Sequence, residues 1–542
     1  MAYMEVASPS AKSAKTVLRR LDALGDAPLS PLEVRMLMLA GVSWAIHAME
    51  LVVFTFTRSL VDQDIGMGTS ALEILGASIS IGAFFGGPVF GYVADKYGRL
   101  PSLLLAMALS LVGLGLSAFA RRDYEAIIAR VVAGVGLGGE IPAATVLIHE
   151  LAPRTRRGST VALLGAFSGV GGIVGVVLSY GAAPAVGWRI LYGVLTAFVL
   201  YAAVLRLNLP ESPRWLLSKD KLDEALAVVE RIERGQVYGR FSASHEGDEV
   251  DLDEMIPTPQ VLAVILSEAT NDADIATSTA ACVRKDLTHY YHTLVLWTLW
   301  TAMGMSAYTL GSYVPTLVSF VGFNMFAAWS TATLLQVIQI PGCLLASSML
   351  DDQFRTTVAV KLQRWQVDKH KQTLAFFATV AVFAAIAVSY LPWTKPVVAV
   401  GTSVVGFAIA GCWSAVFAYT PEHYPVAMRG QGVGSALSFG CVGAIIGGFA
   451  YPQMFDVWLW SVPSIVWLFS GVLIVVVFGL VWRYGYNPTT NDESDGNSAN
   501  ASSKSVSLAT TEASVELEHT SSSESGDEEE TLTLIRLPTG SD

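Results

Sequence analysis

Twelve apolar runs, most of them near twenty residues long, constrain this chain more than any other feature. They lie near 34–57, 71–94, 101–120, 125–148, 159–182, 187–207, 293–318, 326–350, 373–391, 396–419, 432–454 and 461–482. A helix needs about 20 apolar residues to cross a bilayer. Backbone amides in lipid must bond within their own segment, so each run is expected to be helical. The fold class that follows is an all-α membrane protein with twelve transmembrane helices. A mean hydropathy of +0.49 with only 15% charged residues over 542 residues agrees; a water-soluble domain rarely has such a composition. Glycine recurs inside the runs, as expected where membrane helices pack closely.

The polar stretches divide the chain. Residues 1–33 lack an apolar core and read as a cytosolic, amphipathic N-terminal arm rather than a cleaved leader. Residues 34–207 and 287–483 hold six runs each, a pair of six-helix bundles. Residues 208–286 form a cytosolic central loop with a helix expected over 221–234. Residues 484–542 are rich in Ser, Thr and acid and are expected to be disordered. This tail carries a charge of −10 of the chain's −12, so the acidity belongs to the tail and marks no binding surface. Loops after even-numbered runs carry Lys96, Arg99, Arg154, Arg156, Arg157, Arg355, Lys361, Arg364, Lys369, Lys371 and Arg429. The opposite loops carry only Arg58, Arg121, Arg122 and Lys395. The positive-inside rule therefore places both termini in the cytosol. Four cysteines with no C-x-x-C pair read as small buried hydrophobes, with no metal site or disulfide expected. No basic, aromatic-interleaved patch suggests nucleic acid. No H-E-x-x-H or G-x-S-x-G motif suggests an enzyme, and no cofactor is implied.

The two halves repeat. Glu150, Pro153, Arg157, Gly158 and Gly175 recur as Glu422, Pro425, Arg429, Gly430 and Gly447 at an offset of 272. Gly86, Asp95 and Arg99 recur as Gly342, Asp351 and Arg355 at an offset of 256, and the 16-residue difference fits an insertion at Thr356–Lys371. That insertion reads as a basic amphipathic helix on the cytosolic surface, in contact with lipid. Two pseudo-symmetric halves around a central cavity is a transporter architecture.

Between the second and third runs, GYVADKYGRL places Gly91, Asp95, Lys96, Gly98 and Arg99 in the pattern G-x-x-x-D-[RK]-x-G-R. This loop closely resembles the signature loop of the major facilitator superfamily. The resemblance implies a latch between the halves that breaks and reforms during alternating access. Asp95 can pair with Arg99 or cap a neighbouring helix N-terminus, where the dipole favours a carboxylate. Arg130, opening R-V-V-A-G-V-G, resembles the superfamily's R-x-x-x-G-x-G motif, whose Arg is linked to proton coupling in symporters. The first run, WAIHAMELVVF, resembles transporters related to synaptic vesicle glycoprotein 2. Those typically read D-A-M-E, with an Asp where this chain has His47. The P-E-S-P-R-W-L stretch at 210–216 is shared by sugar transporters and by this organic-ion and synaptic-vesicle-related branch. The sugar branch's paired Gln in the seventh run and its terminal P-E-T-K-G do not occur.

Several charges fall inside apolar runs, where an ionisable side chain marks function by default. His47 and Glu50 are three residues apart on one helix face and form a candidate proton-holding pair. Glu140, about 15 Å along the helix from Arg130, is expected near mid-membrane as a protonatable or cation-binding group. Glu150, Arg157, Glu422 and Arg429 are charges at helix ends. Trp300, Tyr313 and Trp413 are candidate cavity aromatics, against a packing role. In the tail, Glu530, Leu534 and Ile535 fit an acidic dileucine sorting signal for an adaptor. The localisation that follows is plasma membrane or an endosomal, lysosomal or vacuolar membrane. The expected function is secondary active transport of a small organic solute, coupled to protons. A transporter-like receptor that does not transport, or a sugar or phosphate porter of the same superfamily, are the alternatives.

Overall fold

The computed structural model describes residues 9–23, 31–233, 291–307, 325–351, 368–391, 394–452, 454, 468 and 471–481. All fall within one compact unit, residues 1–486. Ten helices among them are long and apolar enough to cross a membrane.

A short arm helix, α1 (Pro9–Ala23), precedes the first bundle. The bundle contains α2 (Pro31–Ile65), α3 (Thr69–Tyr97), α4 (Arg99–Ala118) and α5 (Asp123–Leu151). It continues with α6 (Arg157–Val177), extended by a π-helical turn Leu178–Ala182, and with α7 (Trp188–Asn208). Two surface helices follow, α8 (Pro213–Ser218) and α9 (Leu222–Glu233). The second bundle comprises α10 (291–307), α11 (Met325–Leu350), α12 (Lys369–Tyr390), α13 (Lys395–Tyr419), α14 (Arg429–Pro452) and α15 (Gly471–Val481). α10 and α15 lie in the seventh and twelfth apolar runs, whose remaining residues are outside the described set.

Boundaries differ from the sequence expectation where polar residues find partners. α2 runs eight residues past 57 because Asp64, in its last turn, meets Arg189 and accepts a hydrogen bond from Trp188 Nε1 at 3.2 Å. Asp368 caps α12 by accepting from the Lys371 amide, so Lys369, His370 and Lys371 open a membrane helix. They are not the end of a surface insertion, as the sequence reading had it; the rest of that insertion lies outside the described residues. Only Gly98 separates α3 from α4, at φ 120°. An L side chain rarely adopts that angle, and a Cβ there would strike Glu211.

The bundles are packed by small residues. α3 lies against α5 and α4 against α5 within the first half. Across the halves, α3 packs on α14 and α11 on α6. At Gly87 and Gly91 the α3 backbone touches α14 at Gly434 and Gly430, with no room for a Cβ on either side. Such contacts are how membrane helices gain dispersion energy where lipid offers no hydrophobic driving force. The outward faces are apolar, as with Leu105, Val112 and Leu116 of α4.

Candidate functional site

The end of the bundles that holds the signature loop is closed by charge. Arg99, the first residue of α4, is wholly buried. Its Nη1 donates to Asp95 Oδ1 at 2.9 Å and to the Ala94 carbonyl at 2.8 Å. Its Nε and Nη2 form a fork on Glu150 at 3.0 and 3.1 Å. Nη2 also reaches across to the Val426 carbonyl of the second half at 2.6 Å. Glu150, equally buried, accepts from Arg429 Nη1 at 2.9 Å. Asp95 accepts from the Gly430 and Gln431 amides at 2.9 and 2.8 Å, so it caps α14 of the opposite bundle. Two guanidiniums thus balance two carboxylates in a dry junction, and breaking a buried pair by removing one partner typically costs about 3–5 kcal/mol. Asp95 therefore holds both of the partners that the sequence reading left as alternatives. Lys96 takes no part: its Nζ lies over the exposed Tyr92 and Tyr97 rings.

The P-E-S-P-R-W stretch braces this junction, a role the sequence reading missed. Glu211 accepts from the Arg99, Leu100 and Ser212 amides, at 3.0, 3.2 and 2.8 Å. It supplies the cap that Gly98 cannot give α4, and so it fixes Arg99. Burial pushes its carboxyl up from the usual range, against the pull of those three amides. Trp215 Nε1 donates to the Asp95 carbonyl at 3.0 Å, tying off α3.

The pseudo-symmetric junction is built differently. α11 meets the start of α6 through Ser347 Oγ, which donates to the Ser159 carbonyl at 2.8 Å. His370 Nδ1 lies 3.3 Å from Asp368 Oδ1, and its Nε2 lies 3.6 Å from Glu422 Oε1. A Cβ on Gly158 would sit 3.0 Å from that Nε2, so the imidazole rests on the first turn of α6. Burial would raise the Asp368 carboxyl, but the His370 imidazole and the Lys371 amide hold it below its ordinary range. Arg157, the repeat mate of Arg429, lies 3.5 Å from Asp22 of the arm helix. Asp22 also accepts from Arg214 Nη2 at 2.7 Å and from the Arg154 amide at 3.1 Å. Asp351 is partly buried at the end of α11, whereas Arg355 lies outside the described residues.

Deeper in the first bundle the pairing differs from the sequence expectation. His47 and Glu50 do not pair with each other. His47 Nδ1 lies 3.0 Å from Glu140 Oε2, and Glu140 Oε1 accepts from Ser110 Oγ at 2.8 Å. Glu50 faces Arg130 at 3.7 Å, within ion-pair range but beyond a hydrogen bond. Arg130 is held between the Phe54 and Tyr192 rings, 4.6 and 4.4 Å from their centroids. The reason is geometric: each pair crosses from α2 to α5, which packs alongside, whereas neighbours on one helix face point past each other. All four charged groups are buried. Neither Glu50 oxygen nor either Arg130 Nη atom makes a hydrogen bond with the protein. An ionic pair left so poorly satisfied is costly, which fits a group that changes partner or protonation.

His47 and Glu140 line a narrow crevice, too tight for a water molecule, together with Ser43, Trp44, Ile141 and Ala144. Trp44 packs edge-on against Phe417 of the second half, ring centroids 5.2 Å apart, so the crevice abuts the interface between bundles. Of the candidate aromatics, Trp300 is wholly buried and donates from Nε1 to Thr420 Oγ1 at 3.0 Å. Trp413 stacks on Phe417 at 5.4 Å. Tyr313, Glu530, Leu534 and Ile535 lie outside the described residues. Ser110, Glu211, Asp22 and His370 are the contributors that sequence reasoning missed. The buried position of Glu211 was signalled only by the motif that contains it.

Comparison with known proteins bears on the family and the fold. The pattern of the Major Facilitator Superfamily matches residues 36–448. The niacin transporter NiaP of Acinetobacter baylyi is 24% identical over 77% of this chain and 86% of its own. The synaptic vesicle 2-related protein of Xenopus laevis is 25% identical over 84% of this chain and 78% of its own. Among solved structures, the proton:xylose symporter XylE superimposes with a TM-score of 0.63 at 18% identity, over 84% of this chain and 96% of its own. The chain belongs to the Major Facilitator Superfamily, a family of integral membrane transporters of small solutes.

Proposed function

We propose that this protein is a secondary active transporter of a small organic solute, coupled to protons and working by alternating access. In this reading twelve helices span the membrane as two six-helix bundles, with both termini and the Asp95–Arg99 end in the cytosol. The observation that carries the reading is the buried His47–Glu140–Ser110 cluster, whose His47 and Glu140 line a narrow crevice beside the interface of the halves. A carboxylate that is shared between an imidazole and a hydroxyl, out of water, can take up or release a proton as the crevice changes access. Glu50, about one turn from His47, and Arg130, nearly three turns from Glu140, form a second loosely held pair that a proton or an anionic group would separate.

The names of the relatives supply first probes. The niacin transporter supports a small heteroaromatic acid, and the symporter XylE supports proton coupling as a property found on this fold. Relatives named after synaptic vesicles support an endosomal, lysosomal or vacuolar membrane over the plasma membrane. An adaptor at Glu530, Leu534 and Ile535 and lipid contact by the second-half loop belong to the same proposal. A receptor that binds without transport is the second reading.

The test is uptake into proteoliposomes with and without an imposed pH gradient. Accumulation of nicotinate or another probe above the outside concentration separates transporter from receptor. Glu140→Gln fixes the group in its neutral shape and is expected to abolish the pH dependence of uptake. Wild-type pH dependence in that variant removes Glu140 from the coupling role.

A further inference from the structure

We propose that His370 is the gate residue of the second junction, a titratable pin in the place that Arg99 holds in the first, closing this end when protonated and releasing it when neutral. The inference rests on the alternating-access reading and is independent of where the transported proton binds.

Position carries the argument. Arg99 opens α4, faces Glu150 at the end of α5, and meets the first turn of α14 through Asp95. The repeat offset of 272 carries α5 to α13 and α14 back to α6, since Glu150 maps on Glu422 and Gly158 on Gly430. Arg99 opens α4, and His370 lies in the first turn of α12, which follows α11 as α4 follows α3; His370 is the side chain that reaches both Glu422 and Gly158. Like Arg99, His370 is buried, at 1% exposure. Like Arg99, it stands between two carboxylates, Asp368 and Glu422. The difference is that a guanidinium keeps its charge at every accessible pH, whereas an imidazole does not.

The groups around it set the sign. Asp368 on its own helix start and Glu422 beyond α13 favour the imidazolium. Lys369 and Lys371 flank it, and Tyr419 packs tilted on its ring at 5.9 Å. His423 beyond α13, His149 at the end of α5 and Arg157 at the start of α6 complete the charged or titratable surroundings. Protonated, His370 joins Glu422 to Asp368 across the first turn of α6. Neutral, it gives up the ionic link between Asp368 and Glu422 and leaves the junction to Ser347, to packing and to the longer-range attraction of Arg157 for Glu422. A rise in pH at this face therefore favours opening.

The experiment uses the full chain, with Cys282, Cys343, Cys412 and Cys441 replaced, in lipid nanodiscs. Spin labels at the exposed Thr155 and Met428 report the distance between the halves at the closed end. In the parent protein the ratio of short to long distances is expected to fall about tenfold between roughly pH 5.5 and 8, either side of the ordinary histidine range. His370→Arg is expected to hold the short distance throughout, with His370→Lys as the alternative if the larger side chain does not fold. His370→Gln is expected to give one ratio at all pH values. Parent distances that do not move with pH overturn the proposal, as does a parent-like shift in His370→Arg. A shift lost in His149→Gln but kept in His370→Arg overturns it in favour of His149. Glu140→Gln is expected to keep the distance shift while losing pH-dependent uptake, so failure of the coupling site and failure of the pin are read separately.

Discussion

At the α3–α14 junction every charge is fixed and matched: Arg99 and Arg429 against Asp95 and Glu150, with backbone amides taking up the remaining acceptor positions. At the α11–α6 junction the same helix ends meet through an imidazole, and the guanidinium of Arg157 is turned outward to the arm helix. A repeated topology has thus been given two chemistries. The cations of the first junction are guanidiniums, which keep their charge at every accessible pH. The second junction turns on an imidazole and on an arginine that faces the arm. The difference suggests that one junction supplies the strength of closure and the other its control.

The largest expected effect comes from removing the carboxylate that joins both arginines. Glu150→Gln leaves Arg99 and Arg429 buried with one acid between them. Loss of one partner of a buried pair costs on the order of 3–5 kcal/mol, so this variant is expected to reach the membrane poorly or to melt well below wild type in detergent. Wild-type melting would mean that the junction is hydrated and the pairing weak. Glu422→Gln, its repeat mate and partly exposed, is the matched control and should melt near wild type.

Asp95→Ala is expected to come next. It removes two amide hydrogen bonds to a charged acceptor, each worth about 1.5–3 kcal/mol, and one partner of Arg99. Glu150 still neutralises Arg99, so insertion should survive while closure does not. Uptake is expected to fall to background with normal membrane insertion. Uptake at the wild-type level would show that the cap on α14 is not what closes this end.

Much of this was legible in the sequence, for physical reasons. Ten apolar runs appear as helices, all but the first within about five residues of their expected ends, because a bilayer imposes length and burial on each segment independently. Asp95, Arg99, Glu150 and Arg429 were legible because charge at a helix end has few possible partners and the repeat brought matching positions together. The buried pairs were not. His47 and Glu50 share a face in the sequence, yet each turns to α5, and only the packing of α2 on α5 decides that. His370 was hidden by counting it into an insertion. A helix beginning at Lys369 depends on Asp368 capping it, a signal directly beside a basic run that reads as surface. Gly91 was legible as a loop residue, while its contact with Gly430 needed the second half in place.

The smallest expected effect concerns the arm. Asp22 binds Arg214 and the Arg154 amide and lies near Arg157, while Arg20 pairs with Glu233 and Val17 and Leu21 are buried with the cluster that includes α9. Asp22 is about a third exposed, and ion pairs this open to water contribute about 0–1 kcal/mol. Asp22→Ala should therefore leave melting unchanged within error. Its consequence lies in the direction of Arg157. Freed from the arm, that guanidinium can turn to Glu422, the pairing its mate Arg429 makes with Glu150. The second junction would then be locked by a permanent charge, and Glu422 would no longer depend on His370. Asp22→Ala is accordingly expected to flatten the pH response of the Thr155–Met428 distance without changing its value at low pH. A response as steep as wild type would mean that Arg157 stays outward for reasons of its own. The control by arm and imidazole would then be two separate devices rather than one.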